Sequence, residues 1–296
     1  MSFDVLRSFR NDRRFLARYY RISTIVLVLL NAALYTARAE QFGWSILLWV
    51  ACMLPLFISS FSGVLLACAC TSMVWMFSTG AAMASSDWLL VPLGVYLGAL
   101  NVPLIHNCAH GSWRPRWLNH CLGELFSLQI LSGFPGFVIL HLTHHQYPDD
   151  PVKDPHPNGE LTYWQYLRGL KRALGAAYRR IYFERWGDSP ESRKDWSEFQ
   201  RLLPLGRGLR ALLFLLVLGP KGFVLFFIPM FITNQIAYAH INYYTHAHHA
   251  DGQPEIVNLN HGAYRWLNFF LLGIYFHRNH HRYPKVFNPK HLPAQS

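Results

Sequence analysis

Three short groups of histidines stand out in this chain of 296 residues: His106 and His110 in HNCAH, His141, His144 and His145 in HLTHH, and His277, His280 and His281 in HRNHH. On a helix, residues three and four apart share a face, so each HxxHH aims three imidazoles one way and the HxxxH aims two. With sixteen histidines in the chain, one HxxxH is expected by chance about once, and a given HxxHH at roughly 0.05. The two HxxHH groups therefore carry the argument for a metal shell. Neutral imidazole suits iron, zinc, copper and nickel alike. Eight grouped nitrogens exceed what one tetrahedral zinc can use, which points to two metals with four or five ligands each. The zinc-protease HExxH is absent, because Asn107 stands where its base would be. No ExxH pair occurs either, which excludes a soluble carboxylate-bridged di-iron bundle.

The elements that position these groups are read from hydropathy. The chain is 52% hydrophobic and 16% aromatic yet carries a net charge of +11, so charge and apolar surface are segregated along it. Residues 22–37, 43–83, 88–105 and 209–245 are long apolar runs nearly free of charge, and a bilayer-spanning helix needs about 20 such residues. Breaks at 55–62 and at Gly219-Pro220-Lys221-Gly222 divide the longer runs, giving six crossings. The expected fold is an all-α integral membrane protein with about six transmembrane helices and a cytosolic helical cap that carries the histidine site.

Six arginines (Arg7, Arg10, Arg13, Arg14, Arg18, Arg21) precede the first helix, which argues against a cleavable leader and puts that end in the cytosol. Six-helix parity then sends residues 106–208 and 246–296, and all three histidine groups, to the cytosolic side. Of 27 Lys and Arg, only Arg38 and Lys221 fall in loops assigned outside. The organisation is one domain over 1–296: a cytosolic N-terminus 1–21, membrane helices over about 22–105, a cytosolic segment 106–208 with two histidine groups, a membrane hairpin over about 209–245, and the third group within 246–296. Residues 122–140 are too short to cross and return, so they lie along the interface or dip into it.

The five cysteines lack metal-site spacing and read as reduced packing residues. The basic cytosolic face suits anionic lipid headgroups or an acidic partner, and no nucleic-acid motif occurs. His120, His156, His261 and His291 read as ordinary surface or core histidines, and His240 as a buried, hydrogen-bonded one. Asp149, Asp150, Asp154 and Glu124 lie near the groups in sequence and are candidates for orienting the ligand imidazoles. Trp75, Phe77, Phe269, Phe270 and Tyr275 suit either tunnel lining or simple packing, and none is assigned.

The order HxxxH, HxxHH, HxxHH between apolar helices resembles the three histidine boxes of membrane fatty acid desaturases and related hydroxylases, over roughly residues 100–290. HHQYPDDPVKDPH (144–156) and YFHRNHHRYP (275–284) resemble acyl-CoA desaturases, whereas HNCAHGSW (106–113) is closer to lipid-acting ones. The resemblance implies two iron ions held by His106, His110, His141, His144, His145, His277, His280 and His281, with O2 as co-substrate. It adds His246, four residues after Asn242, as a ninth imidazole, with His248 and His249 as rivals and Asn242 as a weaker or water-mediated contact. The implied activity is desaturation of an acyl chain presented as a CoA thioester, a carrier-protein thioester or a lipid. A membrane hydroxylase is the alternative, although Leu140 stands where alkane hydroxylases usually carry a glutamate. His156-Pro-Asn-Gly159 superficially resembles the haem-binding motif of a fused cytochrome b5, but no segment of about 80 residues is free to form that domain. Electrons are thus expected from a separate donor of ferredoxin or cytochrome b5 type. A divalent-metal transporter is the distant alternative, and it would need histidines or acids along the spans, which are nearly absent here.

Overall fold

The computed structural model describes residues 5–42, 84–157, 160–248 and 254–292, with isolated positions at 46–48, 51, 70 and 74. Most of the apolar run 43–83, with Trp75 and Phe77, lies outside the described residues, as does His249. Among the described residues the architecture is helical apart from one short ribbon. Its helices are α1 (Val5–Asn11), α2 (Phe15–Ala37), α3 (Leu90–His110), α4 (Trp117–Gln129), α5 (Phe134–Gln146), α6 (Tyr163–Trp186), α7 (Pro190–Gly222), α8 (Ile228–Thr245), α9 (Tyr264–Phe270) and α10 (His277–Arg282). Among the described residues three stretches are long and apolar enough to cross a membrane: Phe15–Ala37, Ser85–His110 and Pro190–Thr245. The pair α4 and α5, bent by 99°, makes a fourth if counted as one broken span. That bend falls where the sequence calls for a dip into the interface rather than a crossing.

Local chemistry sets the helix ends. Thr162 caps α6 in a reciprocal box with Gln165. Ser189 accepts from Ser192 N ahead of Pro190, the first residue of α7. Gly219, at φ 71°, interrupts helical geometry ahead of Pro220, and a single π-helical turn over Phe223–Phe227 follows before α8 begins. This is the break read from Gly219-Pro220-Lys221-Gly222.

Two helix pairs form the frame. In one, α2 and α7 are tied by Asn31 Nδ2 donating to Leu209 O (3.0 Å) and Arg210 Nη2 donating to Ser23 Oγ (3.0 Å). The amino-terminal arginines join this pair from the polar end: Arg13 bonds Asp195 (2.8 Å) and Arg21 pairs with Glu198. In the other, α3 lies backbone to backbone against the π-helical turn and α8, since a Cβ on Gly94 would meet Phe226 O and one on Gly98 would meet Met230 O. Asn234 Nδ2 donates to Gly98 O (3.1 Å) at the same contact. Small residues that let apolar helices touch, with an amide across the seam, are the packing that a lipid environment favours. At the far end of α3, Lys221 bonds Asp87 (2.7 Å). The helix between Asp87 and His110 is about 30 Å long at 1.5 Å per residue, the thickness of a hydrocarbon core.

The ribbon pairs β1 (His246–His248) antiparallel with β2 (Pro254–Ile256), a feature the hydropathy pattern does not foretell. It starts where α8 ends, so the backbone of His246 is fixed by pairing with Ile256. The strand then leads to Asn258, which bridges to Phe276 just ahead of α10.

The Gly98 contact yields a prediction. Gly98→Val places two methyl groups and a Cβ against Met230 O, an overpacking that costs roughly 1–3 kcal/mol. Purified protein in detergent should then unfold at a lower temperature than wild type. An unchanged midpoint would mean that the two helices do not meet this closely.

Candidate metal centre

Nine imidazoles from four elements converge in two adjoining groups. The first holds His106, His110, His141, His145 and His280, and the second His144, His246, His277 and His281. His106 and His110 end α3, where Gly111 closes the helix in the left-handed conformation. His141, His144 and His145 lie on the last turns of α5, His246 begins β1, and the other three occupy the short helix α10. The eight boxed histidines expected from the sequence are therefore brought together, with His246 as the ninth.

The nitrogen spacing tests whether a metal fits. His110 Nε2 lies 2.7 Å from His141 Nε2 and 3.2 Å from His145 Nε2, and His145 Nε2 lies 3.0 Å from His280 Nε2. In the second group His277 Nε2 is 3.1 Å from His246 Nε2 and 3.2 Å from His281 Nε2. A neutral ring nitrogen has either one N–H or one in-plane lone pair, so at most one of the two contacts at His110 Nε2 can be a hydrogen bond. His106 Nε2 in one group and His144 Nε2 in the other are buried without any hydrogen-bond partner. A cation in each group would satisfy all of these nitrogens. With imidazole nitrogens about 2.0–2.1 Å from a metal, ligands at right angles are about 2.9 Å apart and tetrahedral ligands about 3.4 Å. The observed separations run from 2.7 to 3.2 Å, the range expected of imidazoles that would share a cation.

Burial keeps the donors neutral. His277, His280 and His281 are held well below the usual histidine range, first because burial disfavours the charged form and then because the other imidazoles repel a proton. Neutral imidazole is the form that binds metal.

Two carboxylates orient the second group. Asp154 Oδ2 lies 2.9 Å from His144 Nδ1, which turns His144 Nε2 towards the cluster. The same oxygen accepts from Asp149 N (2.7 Å), fixing Asp149 at φ 60°, a backbone region few residues with side chains adopt. The Asp149 carboxylate is thereby set 2.9 Å from His246 Nδ1. Burial acts to raise the Asp154 pKa, but its bonds to His144 and His156 outweigh this and hold it far below the carboxylate range. Of the four acids picked from the sequence, Asp149 and Asp154 thus contact ligand imidazoles. Asp150 instead accepts from the backbone of Val152 and Lys153, and Glu124 from Tyr19 OH (2.6 Å).

The third-box helix is fastened on both sides. Asn258 exchanges bonds with Asn279 (2.9 and 3.2 Å), Asn279 Nδ2 donates to Pro289 O (3.1 Å), and Arg278 pairs with Glu255 on β2. Phe137 stacks on His141 at 5.4 Å.

Other candidates fall differently. His156 read as an ordinary histidine, yet it is buried with Nδ1 3.1 Å from His144 Nδ1 and Nε2 2.9 Å from Tyr238 OH. The only signal for it was its place in Asp154-Pro155-His156. Asn242 is buried and its amide nitrogen donates to Tyr238 O (2.8 Å). His240 bonds Tyr275 OH (2.8 Å), as a packed histidine does. His261 and His291 are exposed.

Apolar helices that bring a dense set of imidazoles to one end fit a membrane-embedded protein with a histidine-rich site able to hold metal. Residues 86–292 match the fatty acid desaturase family, and the chain belongs to it. A chloroplastic omega-3 fatty acid desaturase of Brassica napus is 38% identical over 101 residues, a match covering 31% of this chain and 24% of that protein. The chain thus aligns with about a quarter of the length of that curated relative. No solved structure matches it.

Two predictions follow from this geometry. Asp154→Asn should weaken metal binding roughly 10–100-fold in chelator competition, whereas Asp150→Asn should leave it unchanged; equal affinities would remove Asp154 from the site. The second concerns pH. Histidines of the unfolded chain take up protons near pH 6.5, while the folded cluster, with its depressed values, stays neutral. The unfolded state then binds more protons, so the metal-free protein should lose stability as pH falls through this window. A melting midpoint that stays flat or rises from pH 7 to 5 would contradict it.

Proposed function

We propose that this protein is a multi-pass membrane desaturase holding two iron ions at the cytosolic face, one per histidine group, and removing two hydrogens from a fatty acyl chain with O2 and external electrons. The observation that carries this reading is the convergence of nine buried or half-buried imidazoles into adjoining sets of five and four. Bound iron supplies the O2-derived oxidising power that an alkyl C–H bond demands, since such a bond has no acidic proton for side-chain base chemistry. Family membership supports iron over zinc.

The protein's own part is to fix, exclude and align. Asp154 and Asp149 hold the Nδ1 protons of His144 and His246 so that each Nε2 faces inward. Phe137 and the surrounding helices keep water from the rings. Asn242 stands one helical turn before His246 and takes the role of a weaker or water-mediated contact. The reading treats 1–296 as one domain with six crossings. The Asp87–Lys221 pair at the end of α3 remote from His110 supports it, as does the bonding of Arg13 and Arg21 to the polar end of α7. Electrons come from a separate ferredoxin- or cytochrome b5-type protein that meets the basic cytosolic face.

The decisive assay loads the purified protein with iron, reduces it and supplies O2 with acyl substrates. Two irons per chain and a product lacking two hydrogens are expected. A product that gains one oxygen instead would make the protein a hydroxylase. Zinc alone, with no oxidised product, would end the oxidase reading. His246→Ala should lower iron content selectively, leaving the five-histidine group loaded.

A further inference from the structure

Asp154 has donors on every acceptor position that a carboxylate offers. Oδ2 takes the His144 Nδ1 proton (2.9 Å) and the Asp149 amide (2.7 Å), while Oδ1 takes the His156 amide (2.9 Å) and has His156 Nδ1 at 3.2 Å. His144, Asp154 and His156 are all buried, so losing one donor would leave a carboxylate oxygen poorly solvated.

The proton positions follow from these contacts. His144 Nε2 is the nitrogen left without a hydrogen-bond partner. As a metal donor it must be bare, so the His144 proton sits on Nδ1 and goes to Asp154. A bare His156 Nδ1 would press its lone pair against the same carboxylate, so that nitrogen also carries a proton. The two Nδ1 atoms, 3.1 Å apart, are therefore two donors converging on one anion rather than a bonded pair. A neutral His156 then has a bare Nε2, and facing it at 2.9 Å is Tyr238 OH, which must donate. Tyr238 is held to do so. It lies on α8 about two turns before His246 and packs with Tyr166 and Leu170 of α6. Its ring meets Phe137 at 6.3 Å, the same ring that stacks on His141.

We propose that Tyr238 and His156 are positioning residues that fix the tautomer of His144. Tyr238 donates to His156 Nε2, His156 keeps its proton at Nδ1 for Asp154, and Asp154 in turn holds the His144 proton at Nδ1. His144 Nε2 is thereby kept bare for the metal position of the second group. The inference rests on the two-metal reading of the site.

Metal-free protein in detergent would be titrated anaerobically with Co(II) against a chelator, following visible absorption. Wild type should take two ions. Y238F, which keeps the ring, should weaken one of them and shift its bands, with the other held as before. H156A should weaken the same ion roughly tenfold, the lower end of what groups orienting a ligand contribute. H156N places an amide N–H near the position of Nδ1 and should recover much of that loss, whereas H156Q, whose amide falls nearer Nε2, should not. H291A, at an exposed histidine, should behave as wild type. Wild-type affinity and bands in Y238F would overturn the proposal, as would equal losses in H156N and H156Q, the pattern of a side chain that merely packs. His144, Asp154 and His156 also lie close enough together to hold a cation themselves, and a third ion that disappears in H156A would overturn the positioning role too. Fewer than two ions in wild type would remove the two-metal reading and the proposal with it. The expected pattern with no oxidised product from the iron-loaded enzyme would instead sustain the proposal and remove the acyl-oxidising reading.

Discussion

A neutral imidazole has one nitrogen to offer a metal and one proton to place elsewhere, and the whole centre depends on placing that proton. Asp154 does this for His144 and, by accepting from Asp149 N, also sets the carboxylate that does it for His246. One buried carboxylate thereby aims two ligands from two distant parts of the chain. Its charge is tolerated because His144, His156 and the Asp149 and His156 backbone amides all bear on it. Few arrangements would keep a carboxylate ionised at this depth.

The rest of the fold keeps that arrangement from relaxing. The seam between α3 and α8, closed at Gly98, fixes the helix bearing His106 and His110 relative to the one ending at His246. The ribbon carries the chain from His246 to Asn258, whose bonds to Asn279 hold the third-box helix. The elements α3, β1 and α10 are thus tied into the frame by contacts that do not involve a histidine. Such ties hold the ligating side chains in place through packing and hydrogen bonds outside the cluster.

The ends of the molecule differ in kind. Around the histidines the loops are tied down by Asn119 and Trp113, whereas the remote end of α3 carries the Asp87–Lys221 pair. Membership of the fatty acid desaturase family accords with that division.

The residue pattern by itself picked out the eight boxed imidazoles that the fold brings together. HxxHH repeated twice can only present imidazoles in threes once the segments are helical, and the apolar runs around them dictate helices in lipid, because no other local structure satisfies the backbone there. The break at Gly219 and the bend between α4 and α5 were legible for the same reason, since glycine and proline punctuate and a short connection cannot cross twice. The partition of the nine histidines was not legible. His144 and His145 are neighbours in sequence yet belong to different groups, because adjacent helical positions differ by about 100° and the partners they meet come from other elements. Nor could sequence rank Asp149 and Asp154 above Asp150 and Glu124, or lift His156 from an ordinary histidine to the second partner of Asp154. Those roles depend on which side chains meet across long stretches of chain, and only the folded backbone, down to the positive φ of Asp149, decides that.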